Sequence, residues 1–145
     1  MRKTWNEYFL GVAKEVSTRS TCPKRQVGCV IVDFNNNILS TGYNGSPSAT
    51  AHCAEIGCMI NETGNCIRTI HAEQNAIARL NYMVKPHKIY CTDEPCLGCL
   101  KLIIASGIQN VLYTYPYPDP QREVFLFDYL DQVRMSYCRF NGDIS

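Results

Sequence analysis

An α/β layered sandwich on a mixed sheet is the fold class this sequence predicts. Two observations carry it. Segments of helical period alternate with β-rich runs along most of the chain. The first two β-rich runs are joined by a short asparagine turn, so the sheet opens on a hairpin before the helix-separated strands follow.

Thr4-x-x-Glu7 reads as a capping box. After it, Trp5, Tyr8, Phe9, Val12, Ala13 and Val16 recur at helical spacing and predict a helix with one buried face, ending near Arg19. Residues 27–33 are β-rich, Asn35-Asn36-Asn37 turns the chain, and residues 38–41 return as the second strand. A second helix is predicted over 71–80, a strand over 88–92 and a helix over 96–106, with Gly107 suited to its C-terminal cap. Residues 109–115 read as a strand. The run Pro116-Tyr117-Pro118-Asp119-Pro120 excludes helix and central strand. Residues 122–130 then read as helix and 133–140 as a last strand. Residues 42–67 lack periodicity, yet compact domains rarely carry structureless loops beyond about 12–15 residues. This stretch holds Cys53, Cys58 and Cys66, so something other than an apolar core is expected to order it.

The 145 residues are expected to form one domain, 1–145, large enough to bury a core without staples. Hydrophobic residues at 46% and charged residues at 19% exclude a disordered chain. A net charge of +1 with scattered Lys and Arg argues against a nucleic-acid polymer as main partner. The apolar runs are too short for a membrane span. The first residues lack the apolar core of a signal peptide. Nine cysteines, an odd number partly arranged as C-x-x-C, fit metal binding in a reducing, cytoplasmic compartment better than a disulfide scaffold.

His71-Ala72-Glu73 and Pro95-Cys96-Leu97-Gly98-Cys99 carry the chemistry. Two residues apart on a helix is roughly 200° of rotation, so His71 and Glu73 can converge only beyond the helix start. Cys96 and Cys99 share a face in the first turn of the next helix. Both helix starts are electropositive, which favours thiolates. With zinc on His71, Cys96 and Cys99, the fourth position is left to water, whose pKa the metal can lower to about 7. Glu73 is then a carboxylate placed to take and return protons beside that water. A structural zinc with Glu73 merely solvated is the alternative, but such sites usually take four protein ligands. The spacing is the H-x-E…P-C-x-x-C pattern of zinc-dependent base deaminases.

Beyond that pattern, Trp5-Asn6-Glu7-Tyr8-Phe9, Arg19-Ser20, Gln26-Val27-Gly28, Gly42-Tyr43-Asn44-Gly45-Ser46-Pro47, His71-Ala72-Glu73-Gln74-Asn75-Ala76-Ile77 and Ile103-Ile104-Ala105-Ser106-Gly107-Ile108 resemble the deoxycytidylate (dCMP) deaminases. The resemblance covers nearly the whole chain and thins after Tyr117. It implies a three-layer α/β/α cytidine-deaminase-like fold on a five-stranded mixed sheet. It also implies hydrolysis of dCMP to dUMP and ammonia for thymidylate supply, in a homo-hexamer activated by dCTP and inhibited by dTTP, with magnesium accompanying the triphosphate.

By matching position, the resemblance implies His71, Cys96 and Cys99 as zinc ligands and Glu73 as acid and base. It places Asn44, Ala72, Tyr115 and Tyr117 against the substrate, with Lys24 and Arg25 near its 5′-phosphate. For Asn44 the alternative is ordinary turn chemistry before Gly45; for Tyr115 and Tyr117 it is packing beside prolines. The effector is implied to bind around Gly42, Tyr43, Asn44 and Gly45, with Arg68 as a further phosphate partner. Some members carry a second, structural zinc, for which Cys22, Cys53, Cys58 and Cys66 are the ligands available here, with His52 able to replace one. Four separate free cysteines are the alternative. Cys29, Cys91 and Cys138 lie in predicted strands and are expected in the core. A tRNA or polynucleotide deaminase, and a non-catalytic zinc-ordered interaction module, are the rival functions; the first wants a basic stripe, and the second has no need of Glu73.

Overall fold

The computed structural model describes residues 1–142. Helix α1 (Trp5–Ser17) opens on the expected capping box: the Thr4 hydroxyl accepts from the Glu7 N–H, and the Glu7 carboxylate accepts from the Thr4 N–H. Its buried face is Phe9, Leu10 and Ala13, while Trp5 and Tyr8 are about half exposed. The predicted stripe was therefore too wide; these two rings stack and edge against Phe9 from outside.

Strands β1 (Gly28–Val32) and β2 (Ile38–Tyr43) form the hairpin, with Asn36 in the left-handed region at the turn. A short helix, α2 (Cys53–Ile56), and α3 (Ala72–Ala78) follow. Then come β3 (Lys88–Asp93), α4 (Leu97–Ala105), β4 (Asn110–Tyr115), α5 (Pro120–Gln132) and β5 (Ser136–Arg139). The sheet order is β2-β1-β3-β4-β5, with β1 antiparallel to β2 and β3, and β3, β4 and β5 parallel. The five-stranded mixed sheet is thus as expected.

Strand alternation divides the core. Val30, Val32, Tyr90 and Leu112 face α1, with Phe9, Leu10 and Ala13. Cys29, Ile31, Ile89, Cys91, Val111 and Tyr113 face the layer of α3, α4 and α5, with Ala72, Ala76, Leu100, Ile103 and Leu126. Helices cover both faces, which makes three layers. The carboxyl ends of β3 and β4, where crossover sheets place their ligand crevices, lead directly into Cys96 and Tyr117.

Residues 42–67 are ordered: β2 runs on to Tyr43, α2 follows, and isolated bridges join Gly45 to Ile70 and Ile60 to Cys66. Two further expectations need correction. Pro120 does not stop the helix but starts it, because the first helical position needs no N–H, and Asp119 caps it through the Arg122 N–H. Cys138 is exposed rather than in the core, since β5 is a short edge strand. Among the described residues, no helix is long and apolar enough to cross a membrane.

Candidate active site

Helix α3 carries His71 at its N-cap and Glu73 in its first turn. Three contacts fix it on β2. Gly42 backs onto it so closely that a Cβ there would lie 2.2 Å from the Ala72 carbonyl oxygen. The Ser40 hydroxyl donates to the Ala76 carbonyl at 2.7 Å, and the Asn75 amide donates to the Tyr43 carbonyl at 2.9 Å. The Gln74 side chain reaches back to the His71 N–H at 2.8 Å and closes the helix start.

His71 faces the first turn of α4. Its Nδ1 lies 3.2 Å from Cys99 Sγ and 3.6 Å from Cys96 Sγ, and the three atoms are all within 4.8 Å of one another. A hydrogen bond from Cys99, helped by one from His71, brings the Cys96 thiol down to about 4, while the same bond to Cys96, and burial, push the Cys99 thiol up. Two thiol sulfurs and one imidazole nitrogen converging in this way suit zinc, and three protein donors leave a coordination position free.

Glu73 is 4% exposed. Burial pushes its carboxyl above the usual carboxylate range, against the opposing pull of its own backbone N–H and of His71. Beneath it lie Cys29 and Cys91, paired across β1 and β3 and fully buried. Burial, then the Glu73 charge, holds both thiols well above their ordinary value. The site therefore presents one buried, protonatable carboxyl beside a soft metal-ligand set, which is the equipment for moving protons during hydrolysis.

Around this centre the other predicted residues fall into different places. The Asn44 amide is engaged with backbone: Oδ1 accepts from the Val27 N–H at 2.9 Å and Nδ2 donates to the Arg25 carbonyl at 2.8 Å. It ties the end of β2 to the approach to β1. Arg25 donates through Nε to Asp93 at 2.8 Å, pairs with the same carboxylate through Nη2, and lies 4.0 Å over the Tyr117 ring. Lys24 and Tyr115 are exposed, and Ala72 is fully buried in the core. Gly42 and Tyr43 belong to β2, so the missing side chain of Gly42 serves the contact with α3. Gly45 pairs with Ile70, and Arg68 holds a buried Nε with no hydrogen-bond partner among the described residues.

A second cluster gathers Cys53, Cys58 and Cys66, again within 4.8 Å of one another. Burial opposes ionisation of Cys66, but the backbone groups of Arg68, Met59 and Thr69 outweigh it and bring the thiol down to about 7. Cys22 lies outside this group, although Cys58 feels its charge. His52 precedes α2 and has a buried Nδ1 without a hydrogen-bond partner among the described residues. Three sulfurs converging in this way suit a metal, and a closed zinc site takes one further protein donor.

Sequence reasoning missed Asp93, Glu94, Asp119 and Arg122. Arg122 is 1% exposed and forms an ion pair with Glu94 at 3.1 Å. Asp119 serves two helices, accepting from the Arg122 N–H and, at 2.8 Å, from the Leu97 N–H of α4. The Asp-Pro pair before a helical run was the available signal for the cap; nothing local marks the ion pair.

Comparison with known proteins agrees with this geometry. The family model of the cytidine and deoxycytidylate deaminase zinc-binding region matches residues 3–115. ComE operon protein 2 of Bacillus subtilis is 41% identical over 124 residues, covering 80% of this chain and 65% of that protein's length. The chain thus spans just under two thirds of that relative. The deoxycytidylate deaminase of Mycobacterium phage D29 is 36% identical over 124 residues, 77% of this chain and 95% of its own. Among solved structures, the dCMP deaminase of cyanophage S-TIM5, in complex with dCMP and dUMP, superimposes with a TM-score of 0.75 at 29% identity over 97% of this chain and 99% of that one. The metal-ligand set, the buried glutamate, the sheet and these matches agree: the chain belongs to the cytidine and deoxycytidylate deaminase family.

Proposed function

We propose that the chain hydrolyses dCMP to dUMP and ammonia. The observation that carries this reading is the buried Glu73 carboxyl beside the His71, Cys96 and Cys99 set. The relatives named deoxycytidylate deaminase, and the phage enzyme seen with dCMP and dUMP, favour the nucleotide monophosphate as substrate. Zinc bound to the three ligands supplies Lewis acidity and makes a water acidic near neutral pH. Glu73 accepts a proton from the attacking water and delivers it to the cytosine ring nitrogen. It then takes the proton of the hydroxyl now on carbon 4 and passes it to the amino group, so that the carbon–oxygen double bond forms as the carbon–nitrogen bond breaks and ammonia leaves. Burial suits Glu73 to both roles, because it brings the carboxyl closer to the working pH.

In the same reading, Asn44 uses its second Nδ2 hydrogen on the nucleoside, and Ala72 and Tyr115 border it. The Arg25–Tyr117 pair and Lys24 take the 5′-phosphate. The stretch Gly42, Tyr43, Asn44 and Gly45 with Arg68 receives the triphosphate effector and its magnesium; the unpartnered Arg68 Nε supports this. Regulation then requires dCTP and dTTP to favour different states, and a homo-hexamer is the assembly the family resemblance implies. All nine cysteines are free, which fits a reducing, cytoplasmic compartment. Cys53, Cys58 and Cys66, with Cys22 or His52, hold a second zinc.

The test is turnover of dCMP, cytidine and a tRNA anticodon loop, with and without dCTP and dTTP, by wild type and Glu73→Ala. The wild type is expected to prefer dCMP. Glu73→Ala should keep its fold and metal and lose at least about 10²-fold in rate. Substantial turnover by a folded Glu73→Ala protein overturns the mechanism; preference for the anticodon loop overturns the substrate.

A further inference from the structure

Tyr117 sits between Pro116 and Pro118, neither of which has an N–H to offer. No strand or helix includes it. Its backbone is held instead by one buried ion pair. The Tyr117 N–H donates to Glu94 Oε1 at 3.2 Å, and its carbonyl accepts from Arg122 Nη2 at 2.6 Å. Glu94 and Arg122 pair with each other, and the Tyr137 hydroxyl donates to the other Glu94 oxygen. Arg122 Nη1 donates to the Pro95 carbonyl at 3.0 Å, the residue before Cys96. Glu123 also meets this guanidinium, but it is well exposed and contributes little.

The consequence reaches the front of the site. The Tyr117 ring is the face on which the Arg25 guanidinium rests, and Asp93, next to Glu94, accepts hydrogen bonds from that guanidinium's Nε and Nη2. A buried ion pair is a costly way to fix one residue, because desolvation opposes it. Placing a charged pair here therefore makes sense where the position of Tyr117 matters more than stability. A lysine could keep the charge, but its single ammonium lacks the planar fork that reaches two carbonyls and a carboxylate at once.

We propose that Arg122 and Glu94 are positioning residues for nucleotide binding, acting through the backbone of Tyr117 to set the Arg25–Tyr117 clamp. This rests on the reading of the chain as a dCMP deaminase. Steady-state kinetics on dCMP in wild type, Arg122→Lys, Tyr117→Ala and the double variant test it, with zinc content and thermal unfolding measured on each preparation. Arg122→Lys should raise KM on the order of tenfold, the size of one lost cation–π contact. It should change kcat far less and leave zinc in place. The double variant should have the KM of Tyr117→Ala alone, because the second change has nothing left to act through. Should Arg122→Lys fail to fold, Glu94→Gln with Arg122→Met removes both charges together and enters the same comparison with Tyr117→Ala. Multiplying KM effects in the double variant, or a fall in kcat and zinc with unchanged KM, overturns the inference while leaving the deaminase reading intact. A wild type inactive on dCMP overturns that reading first and the inference with it.

Discussion

Gly42→Ala adds one methyl group at the point where β2 meets the catalytic helix. The new Cβ would lie 2.2 Å from the Ala72 carbonyl oxygen and 2.6 Å from the Ala76 nitrogen. Both are backbone atoms, so no rotamer can relieve the contact. To reach the 3.4 Å of ordinary contact, α3 has to retreat by 1.2 Å, the difference between 3.4 and 2.2. That movement lengthens the Ser40–Ala76 and Asn75–Tyr43 hydrogen bonds that clip the helix to the strand. Overpacking of this kind costs about 1–3 kcal/mol, which in a domain of this size lowers Tm by roughly 3–12 °C. The chemistry should suffer more, because His71 and Glu73 ride on the first turn of α3. A displacement of about 1 Å can cost on the order of 10²-fold in kcat. The assay is thermal unfolding by circular dichroism and initial rates on dCMP from the same zinc-loaded preparation. Gly11→Ala is the matched control: it lies inside α1 with open space around the new Cβ. It should stabilise by roughly 0.5–1 kcal/mol and leave kcat unchanged. Wild-type Tm and kcat in Gly42→Ala would refute the packing account.

Two further outcomes follow from the same contacts. Metal analysis of the loaded protein should find two zinc ions per chain, one for each ligand cluster, and one in Cys58→Ser/Cys66→Ser. Cys22→Ser and His52→Ala decide the fourth ligand, since only the true one should weaken the second metal, and a single zinc in the wild type would remove the site. Asp119 is held below the ordinary carboxylate range, chiefly by the Leu97 N–H and further by the Arg122 N–H. A depressed folded pKa means the stabilisation is present above the unfolded value near 3.9 and is lost as pH falls through the folded one. Asp119→Asn should therefore flatten the acid limb of the Tm–pH curve; an unchanged limb would show that the carboxylate charge plays no part.

How far the sequence reached depends on the range of the interactions involved. The capping box at Thr4, the hairpin at Asn36 and the paired cysteines at the start of α4 are written in neighbouring residues, so periodicity and spacing exposed them. Trp5 and Tyr8 were misplaced because a helical stripe shows which residues share a face, not how far the opposing sheet extends under it. Cys138 was misplaced for a related reason: alternation marks a strand, but only the strand order shows that β5 ends the sheet. The convergence of His71, Cys96 and Cys99 was legible because zinc chemistry restricts donor types and spacing. The shell behind it was not, because Glu94 and Arg122 are 28 positions apart and each resembles an ordinary surface charge until the fold buries it. Yet the need for such a shell was visible. A tyrosine between two prolines, after a strand and before a helix, leaves its own N–H and carbonyl without a regular partner, and a buried backbone group has to find one. The physical question to ask of that pattern is which distant charges will supply both bonds. Here the answer is one guanidinium and one carboxylate, and the carboxylate stands two residues before Cys96.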